Sequence, residues 1–302
     1  MKNMVRSPFF YVGDKYKLMP QLKTVFPENI SSYYEPFLGG GSSLLNVNAN
    51  SYFANDINSH YILLHKTFST YCNKEDALLS KIYEIIDKYH LSCSYRNITV
   101  PDSLKKQYVK TYYSHYNKSS YIKLREDFNS KDEDPLLLYV LLIYGFNHMI
   151  RYNSENKFNL PVGNVDFNTN VYEAISNYLN FMNTHEVKFF CTDYKVFLQN
   201  QNFDTNSYVF CDPPYLISSS EYNKIWDEEK EIELYSVLDE LNKNHIRFGI
   251  TNLLHHKGET NEIFEAWSKK YISYSIKSNY ISYYDNTIKQ DSKELFVTNY
   301  AR

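Results

Sequence analysis

The sequence predicts an α/β protein, a doubly wound nucleoside-binding sheet interrupted by a mostly helical insertion that ends in a hairpin. Three observations predict it. A short strand runs into Gly39-Gly40-Gly41, and a second strand over 51–56 ends in Asp56, about 17 residues beyond the first glycine. Apolar runs over 187–191 and 207–211 each lead to an acid, Asp193 and Asp212. Between Asp56 and the first of these runs, apolar positions over 78–86 and 136–144 recur at helical spacing.

Each element follows in order. Glycines at a strand-to-helix turn let a ligand approach backbone N–H groups, and a helix is expected from Ser42 or Ser43. An apolar helix is expected over 57–68. Asp56 stands where an acid grips ribose hydroxyls, but Gly39-Gly40-Gly41-Ser42-Ser43-Leu44 lacks the last glycine of the dinucleotide fingerprint. That argues against NAD or FAD. In the insertion, Asn153-Ser154-Glu155-Asn156 reads as a turn between Arg151-Tyr152 and 157–160, a hairpin with exposed polar tips. Sheet pattern then returns, with strands over 187–191, 207–211, 246–251, 271–277 and 295–299 and helices over 231–243 and 261–269.

The segment richest in chemistry is Val209-Phe210-Cys211-Asp212-Pro213-Pro214-Tyr215. Each proline fixes its own φ, Pro214 restricts Pro213 to extended conformations, and neither has an N–H. A stiff turn at a strand end thus holds a carboxylate, a carbonyl and an aromatic face in fixed relation. Such a site suits a flat, weakly nucleophilic amine, gripped by oxygens while the ring stacks on its heterocycle. The alternative is a Pro-Pro turn that only ends a strand.

Composition narrows the class. The four cysteines form no CxxC pair, and no apolar run approaches membrane-spanning length. With no signal peptide, a reduced cytoplasmic protein with no membrane role is expected. The nine histidines show no metal-ligand spacing, so no metal is expected, and His255-His256 reads as a surface or loop pair. Net charge is −3, yet over 104–125 Lys105, Lys106, Lys110, Lys118, Lys123 and Arg125 interleave with tyrosines and no acid. A solvated charged face explains such a cluster as readily as a phosphate-tracking surface does.

Taken together, these residues resemble the Dam-type, α-class (D12) DNA adenine-N6 methyltransferases, over nearly the whole chain. The segment from Pro8 to Lys15 is similar to that family's N-terminal segment, Glu35-Pro36-Phe37-Leu38-Gly39-Gly40-Gly41 to its FxGxG loop, and Asn55-Asp56 to its ribose-binding acid. Leu124-Arg125-Glu126-Asp127-Phe128-Asn129 and residues 144–163 resemble its target-recognition insertion, and Asp212-Pro213-Pro214-Tyr215 its catalytic tetrapeptide. The sequence departs at Tyr11, where Trp is usual, and at Asp14, where glycine is. Residues 248–258 and 278–289 set it apart from the GATC enzymes and nearer to relatives from restriction–modification systems or phage.

The resemblance implies a Rossmann-like S-adenosylmethionine-dependent methyltransferase sheet, with 1–72 and 165–302 catalytic and 73–164 recognising the target. It implies cofactor contacts by Tyr11, Lys15, Phe37, Gly39, Gly41, Asp56, Asp193 and Asp212, Asp193 being equally readable as a strand-end cap. Asp212 and the Pro213 carbonyl would hold adenine N6, Pro214 would stiffen the turn and Tyr215 would stack on the base. Cys211 is a small buried residue. For double-stranded DNA, Phe146 is the candidate wedge and Asn147 a contact to the orphaned base. Arg151 and Asn153 would reach base edges, and Lys105, Lys106 and Lys110 phosphates. Phe146 could instead be core and Arg151 a surface ion pair. A cognate restriction endonuclease is a candidate partner, and no feature assigns an oligomeric state. Alternatives are a methyltransferase of this fold acting on RNA or a protein amide, a DNA-binding protein with an inactive fold, and a nicotinamide-dependent oxidoreductase.

Overall fold

A computed structural model describes residues 4–130, 134–218, 226–277 and 292–301. Its helices are α1 (Met19–Leu22), α2 (Ser59–Ser69), α3 (Glu75–Lys88), α4 (Asp102–Gln107), α5 (Tyr112–Asn129), α6 (Pro135–Tyr144), α7 (Thr169–Thr184), α8 (Tyr194–Gln199), α9 (Glu228–Lys243) and α10 (Glu262–Ser268). Its strands are β1 (Ile30–Glu35), β2 (Ala49–Asn55), β3 (Val187–Phe190), β4 (Tyr208–Cys211), β5 (Arg247–His256), β6 (Glu259–Thr260), β7 (Ile272–Ile276) and β8 (Ser292–Thr298). By packing, the chain falls into two compact units. One gathers 1–16, 39–45 and 58–185, the other 17–38, 46–57 and 186–302. No helix among the described residues is long and apolar enough to cross a membrane.

The second unit contains the whole sheet, in the order β3-β2-β1-β4-β5-β8-β7, with β6 paired to β5. The first five of these strands are parallel, β8 runs antiparallel between β5 and β7, and β7 returns to the direction of the first five. Strand order runs outward from β1 through β2 to β3 on one side and from β4 to β5 on the other. The switch point, where ligands bind in open α/β sheets, therefore lies at the carboxyl ends of β1 and β4. Period-two alternation divides the side chains between two faces. Tyr34, Val209, Cys211, Phe248, Ile250, Leu295 and Val297 join the cluster that includes Phe197, Leu234, Leu238, Phe264 and Trp267 from α8, α9 and α10. Tyr208, Phe210 and Phe296 meet Phe26, with ring centroids 5.1–5.7 Å apart. Gly249 must be glycine here, because a Cβ would collide with the Tyr208 hydroxyl and the Phe296 ring.

A buried carboxylate ties the helical layer to the sheet. Glu231 of α9 has no solvent exposure. Its Oε1 accepts from the Tyr235 hydroxyl at 2.5 Å and from the amides of Asn252 at 2.8 Å and Asn261 at 2.9 Å. Its Oε2 accepts the Trp226 indole N–H at 2.6 Å. Asn261 also caps α10 through the Phe264 N–H. One acid so holds α9, β5, α10 and the segment before α9.

The first unit is helical. Asp134 caps α6 and Pro135 occupies its first turn, where a missing N–H costs nothing. Residues 136–144 are all buried, so this helix is core on every side. Asn164 reaches back to α5, accepting the N–H groups of Tyr113 and Ser114. The expected hairpin is present as a single bridge, Tyr152 to Phe158, closed by Asn153 N–H to the Lys157 carbonyl. Two side chains of the 124–129 segment hold it. Asn129 exchanges both amide bonds with Phe158, and Arg125 donates to the Leu160 carbonyl.

Most expected elements appear within a residue or two, and β5 runs on to His256. One does not appear. No α-helix starts at Ser42 or Ser43, only a 3-10 turn over Leu44–Asn46. Ser42 is tethered to Asp14, and β2 begins at Ala49, which leaves too few residues for helical turns. Helices α1, α4, α5, α7 and α8 have no counterpart among the expected elements.

Glu231→Ala would remove an acceptor from four buried donors at once, of which Asn252 keeps a bond to the Tyr235 hydroxyl. It should cost roughly 3–5 kcal/mol, in the range for breaking a buried charged network. Urea titration should show the midpoint falling at unchanged slope.

Candidate active site

In the sheet-bearing unit, β4 is buried throughout and delivers Asp212 to its carboxyl end. Asp212 continues the face of Tyr208 and Phe210, which is also the face of Thr251 on β5. Asp212 Oδ1 accepts the Thr251 hydroxyl at 2.8 Å and lies 3.1 Å from the Tyr215 hydroxyl oxygen. The Tyr215 hydroxyl donates to Glu294 Oε1 at 2.6 Å. Pro213 is buried and Pro214 half-buried, with the chain non-helical from Asp212 to Tyr215. Cys211 points to the opposite face, into the helical layer. Burial, reinforced by Asp212 and Glu35, pushes its thiol well up, so it stays protonated and is no nucleophile.

Beside it, β1, β2 and β3 end together. Asn55, fully buried, donates its amide to the carbonyls of Pro36 at 3.1 Å and Thr192 at 3.0 Å. Its Oδ1 accepts the Thr192 N–H at 3.1 Å, and its backbone carbonyl accepts Leu38 N–H at 2.8 Å. This sets Phe37, Asp56 and Asp193 at neighbouring strand ends. Phe37 is half-buried, its ring 5.2 Å from Tyr194 and 5.7 Å from Trp226. Asp56 is half-exposed. Asp193 caps α8 through the Lys195 N–H at 2.9 Å, the strand-end cap weighed from the sequence. Asp56, Asp193 and Asp212 give this rim three carboxylates. Such a rim suits hydroxyl and amine donors and positive charge, and it disfavours phosphate.

In the helical unit, the Tyr11 ring lies on the glycine loop. A Cβ at Gly39 would stand 3.1 Å from two ring atoms, and one at Gly40 2.8 Å from the Tyr11 Cβ. Gly39 and Gly41 have φ of +47° and +76°. These glycines are thus demanded by packing and conformation within the loop itself. Asp14, in place of the usual glycine, accepts from Ser42 at 3.1 Å and from the Tyr16 N–H, and burial raises its carboxyl above the ordinary range. Lys15 is buried, not solvated, and its Nζ donates to the Gly13 carbonyl.

Beneath the loop sits His65, which the sequence did not single out. It is fully buried, with Nε2 3.0 Å from the Gly39 carbonyl and Nδ1 2.9 Å from the Tyr178 hydroxyl. A carbonyl only accepts, so Nε2 carries the proton and Nδ1 accepts from Tyr178. Burial pushes this imidazole down to about 4.

The DNA-contact candidates all lie in the helical unit. Phe146 is 45% exposed, which removes the core alternative for it. Asn147 is exposed with φ of +54°. Arg151 makes no ion pair among the described residues. Its Nε and an NH2 group donate to the side chain and carbonyl of Asn159, both at 2.9 Å. Asn153 Oδ1 accepts the N–H groups of Glu155 and Lys157 and so builds the turn. Lys105 pairs with Asp102 at 3.2 Å, whereas Lys106 and Lys110 are exposed. Of the interleaved tyrosines, Tyr121 is core. Residues 278–289 lie outside the described residues.

A model of the D12 class of N6 adenine-specific DNA methyltransferases matches residues 11–282. The type II methyltransferase M.FokI of Planomicrobium okeanokoites is 32% identical over 98% of this chain. The modification methylase StsI of Streptococcus sanguinis is 30% identical over 99%. The chain spans 43% of the length of each of these two relatives. The DNA adenine methylase of Escherichia coli (strain K12) is 27% identical over 80% of this chain and 78% of its own length.

His65 makes stability pH-dependent. The unfolded imidazole protonates near pH 6.5, the folded one only near 4. Below pH 6.5 the unfolded chain binds more protons, so this contribution is complete above that pH and is lost as pH falls toward 4. At pH 5.5 the loss is about 1.4 kcal/mol. Denaturant titrations of wild type and His65→Gln at pH 7.5 and 5.5 should show the variant losing less on acidification by about that amount.

Proposed function

The chain belongs to the D12 class of N6 adenine-specific DNA methyltransferases, and from that membership we propose that it methylates N6 of an adenine flipped out of duplex DNA. The methyl donor is S-adenosylmethionine, which supplies a methyl group on a cationic sulfur. The observation that carries the reading is Asp212 at the end of β4, with Oδ1 held by Thr251 and the Tyr215 hydroxyl beside it.

Adenine N6 is a poor nucleophile because its lone pair is delocalised into the ring. Asp212 and the Pro213 carbonyl accept its two N–H bonds, drawing the lone pair back onto nitrogen. Tyr215 offers its ring face to the base, and Pro214 keeps the turn from relaxing. No covalent enzyme intermediate is required, in keeping with the protonated thiol of Cys211. Positioning of this kind is worth up to about 7–11 kcal/mol in favourable cases.

Phe37, Asp56 and Asp193 hold the cofactor at the strand ends, Asp56 on the ribose hydroxyls. Tyr11, Lys15, Gly39 and Gly41 are its contacts from the glycine loop. Residues 1–72 with 165–302 carry out catalysis, and 73–164 recognises the target. Within that stretch Phe146 fills the vacated stack and Asn147 meets the orphaned base. Arg151 and Asn153 act from a hairpin that they themselves brace. Lys106 and Lys110, with Lys105, meet phosphates. Relatives named as modification methylases support a restriction–modification setting with a cognate endonuclease as partner.

Asp212→Ala should abolish methyl transfer while cofactor binding persists. Tritiated methyl donor offered with DNA, RNA and protein acceptors reads both the reaction and the acceptor class. Label appearing in RNA or protein alone, or undiminished transfer by a folded Asp212→Ala chain, would overturn the assignment.

Division of labour on DNA gives a second test. Arg151→Ala should relax preference at one base pair by roughly 1–3 kcal/mol. Lys106→Ala with Lys110→Ala should weaken all duplexes alike and flatten the salt dependence. Titration of cognate and scrambled duplexes at two salt concentrations separates the two behaviours.

A further inference from the structure

The Tyr215 phenol has one proton and two carboxylates beside it. Its oxygen lies 2.6 Å from Glu294 Oε1 and 3.1 Å from Asp212 Oδ1. The first distance suits an O–H···O⁻ bond and the second is long for one, so the proton belongs on the Glu294 side. Asp212 Oδ1 then takes its proton from Thr251, at 2.8 Å.

Glu294 sits on β8 with no solvent exposure, paired opposite Leu253 of β5. Paired residues point to the same face, and Leu253 shares its face with Thr251, two residues back. Two adjacent strands therefore present two anchors to one tetrapeptide, Thr251 to its acid and Glu294 to its ring. Burying a carboxylate is costly unless it is hydrogen-bonded, and fold alone would be served as well by an apolar residue.

We propose that Glu294 is a positioning residue for methyl transfer, fixing the plane of the Tyr215 ring and drawing the phenol proton away from Asp212. The proposal rests on the methyltransferase reading above. A tyrosine held only at its Cα end rocks about its side-chain bonds. Pinned at its hydroxyl as well, it presents one stacking plane to the base. Asp212 meanwhile keeps its acceptor strength for the amino group.

The test is a double-mutant cycle of Glu294→Gln and Tyr215→Phe, with kcat and KM measured for methyl transfer to a duplex. Each single change should lower kcat on the order of 10- to 100-fold, with both KM values within about threefold. The double variant should be no worse than the poorer single one. Fluorescence of 2-aminopurine at the target position should change in both singles, because it reports how the extruded base stacks.

Equal effects of Glu294→Gln with and without the Tyr215 hydroxyl would overturn the proposal, as would an unchanged kcat in Glu294→Gln. If Glu294→Gln does not fold, Tyr215→Phe decides alone, and an unchanged kcat in that variant sinks the idea. A wild-type chain that leaves adenine in DNA unmodified overturns the activity reading and this one with it. An active wild type with uncoupled variants overturns only the role of Glu294.

Discussion

The site depends on how three parallel strands are finished, and a single side chain finishes them. Where a parallel ladder stops, carbonyls and N–H groups lose their partners, and buried ones must find others. Asn55 satisfies Pro36 on β1 and both backbone groups of Thr192 after β3, from its own place at the end of β2. The task needs a short side chain that donates twice and accepts, which a carboxylate does not do. The positions of Phe37, Asp56 and Asp193 follow from that junction.

The same economy recurs on the far side of the switch point. The turn after β4 is held from the next two strands of the sheet, β5 through Thr251 on the Asp212 carboxylate and β8 through Glu294 on the Tyr215 hydroxyl. In the helical unit, His65 and Tyr11 bracket the glycine loop, one under the Gly39 carbonyl and the other against the missing Cβ atoms. A loop described only by its glycines would be loose. This one is packed from both sides by aromatic residues.

What was legible in the sequence was local. The Asp212–Tyr215 segment, the glycine turn, Asp56 and the turn at Asn153 each carry their geometry in a few consecutive residues. Asn55, Glu231, His65 and Glu294 act across long sequence separations, and nothing beside them announces a partner. The helix expected after Gly41 failed because Ser42 answers to Asp14, 28 residues away. Helix α7 could have been found, since Asn168 caps it and Val171, Ala174, Ile175, Tyr178, Leu179 and Met182 follow helical spacing. Helix α5 gave less, its buried Asn117, Tyr121, Leu124 and Phe128 being diluted by polar and aromatic residues.

The adjacent pair Thr251-Asn252 has a consequence for how this chain can change over evolutionary time. Thr251 serves the Asp212 carboxylate on one face of β5, and Asn252 serves Glu231 on the other. Substitutions at either position damage one network. A one-residue insertion or deletion upstream in β5 would exchange the faces, aiming an amide at one acid and a hydroxyl at the other. It would also move Gly249 off the spot where Tyr208 and Phe296 leave no space for a Cβ. The residues at Gly249, Thr251 and Asn252 and the length of β5 from Arg247 to Asn252 are therefore fixed together, so gaps in related sequences should fall outside 247–252.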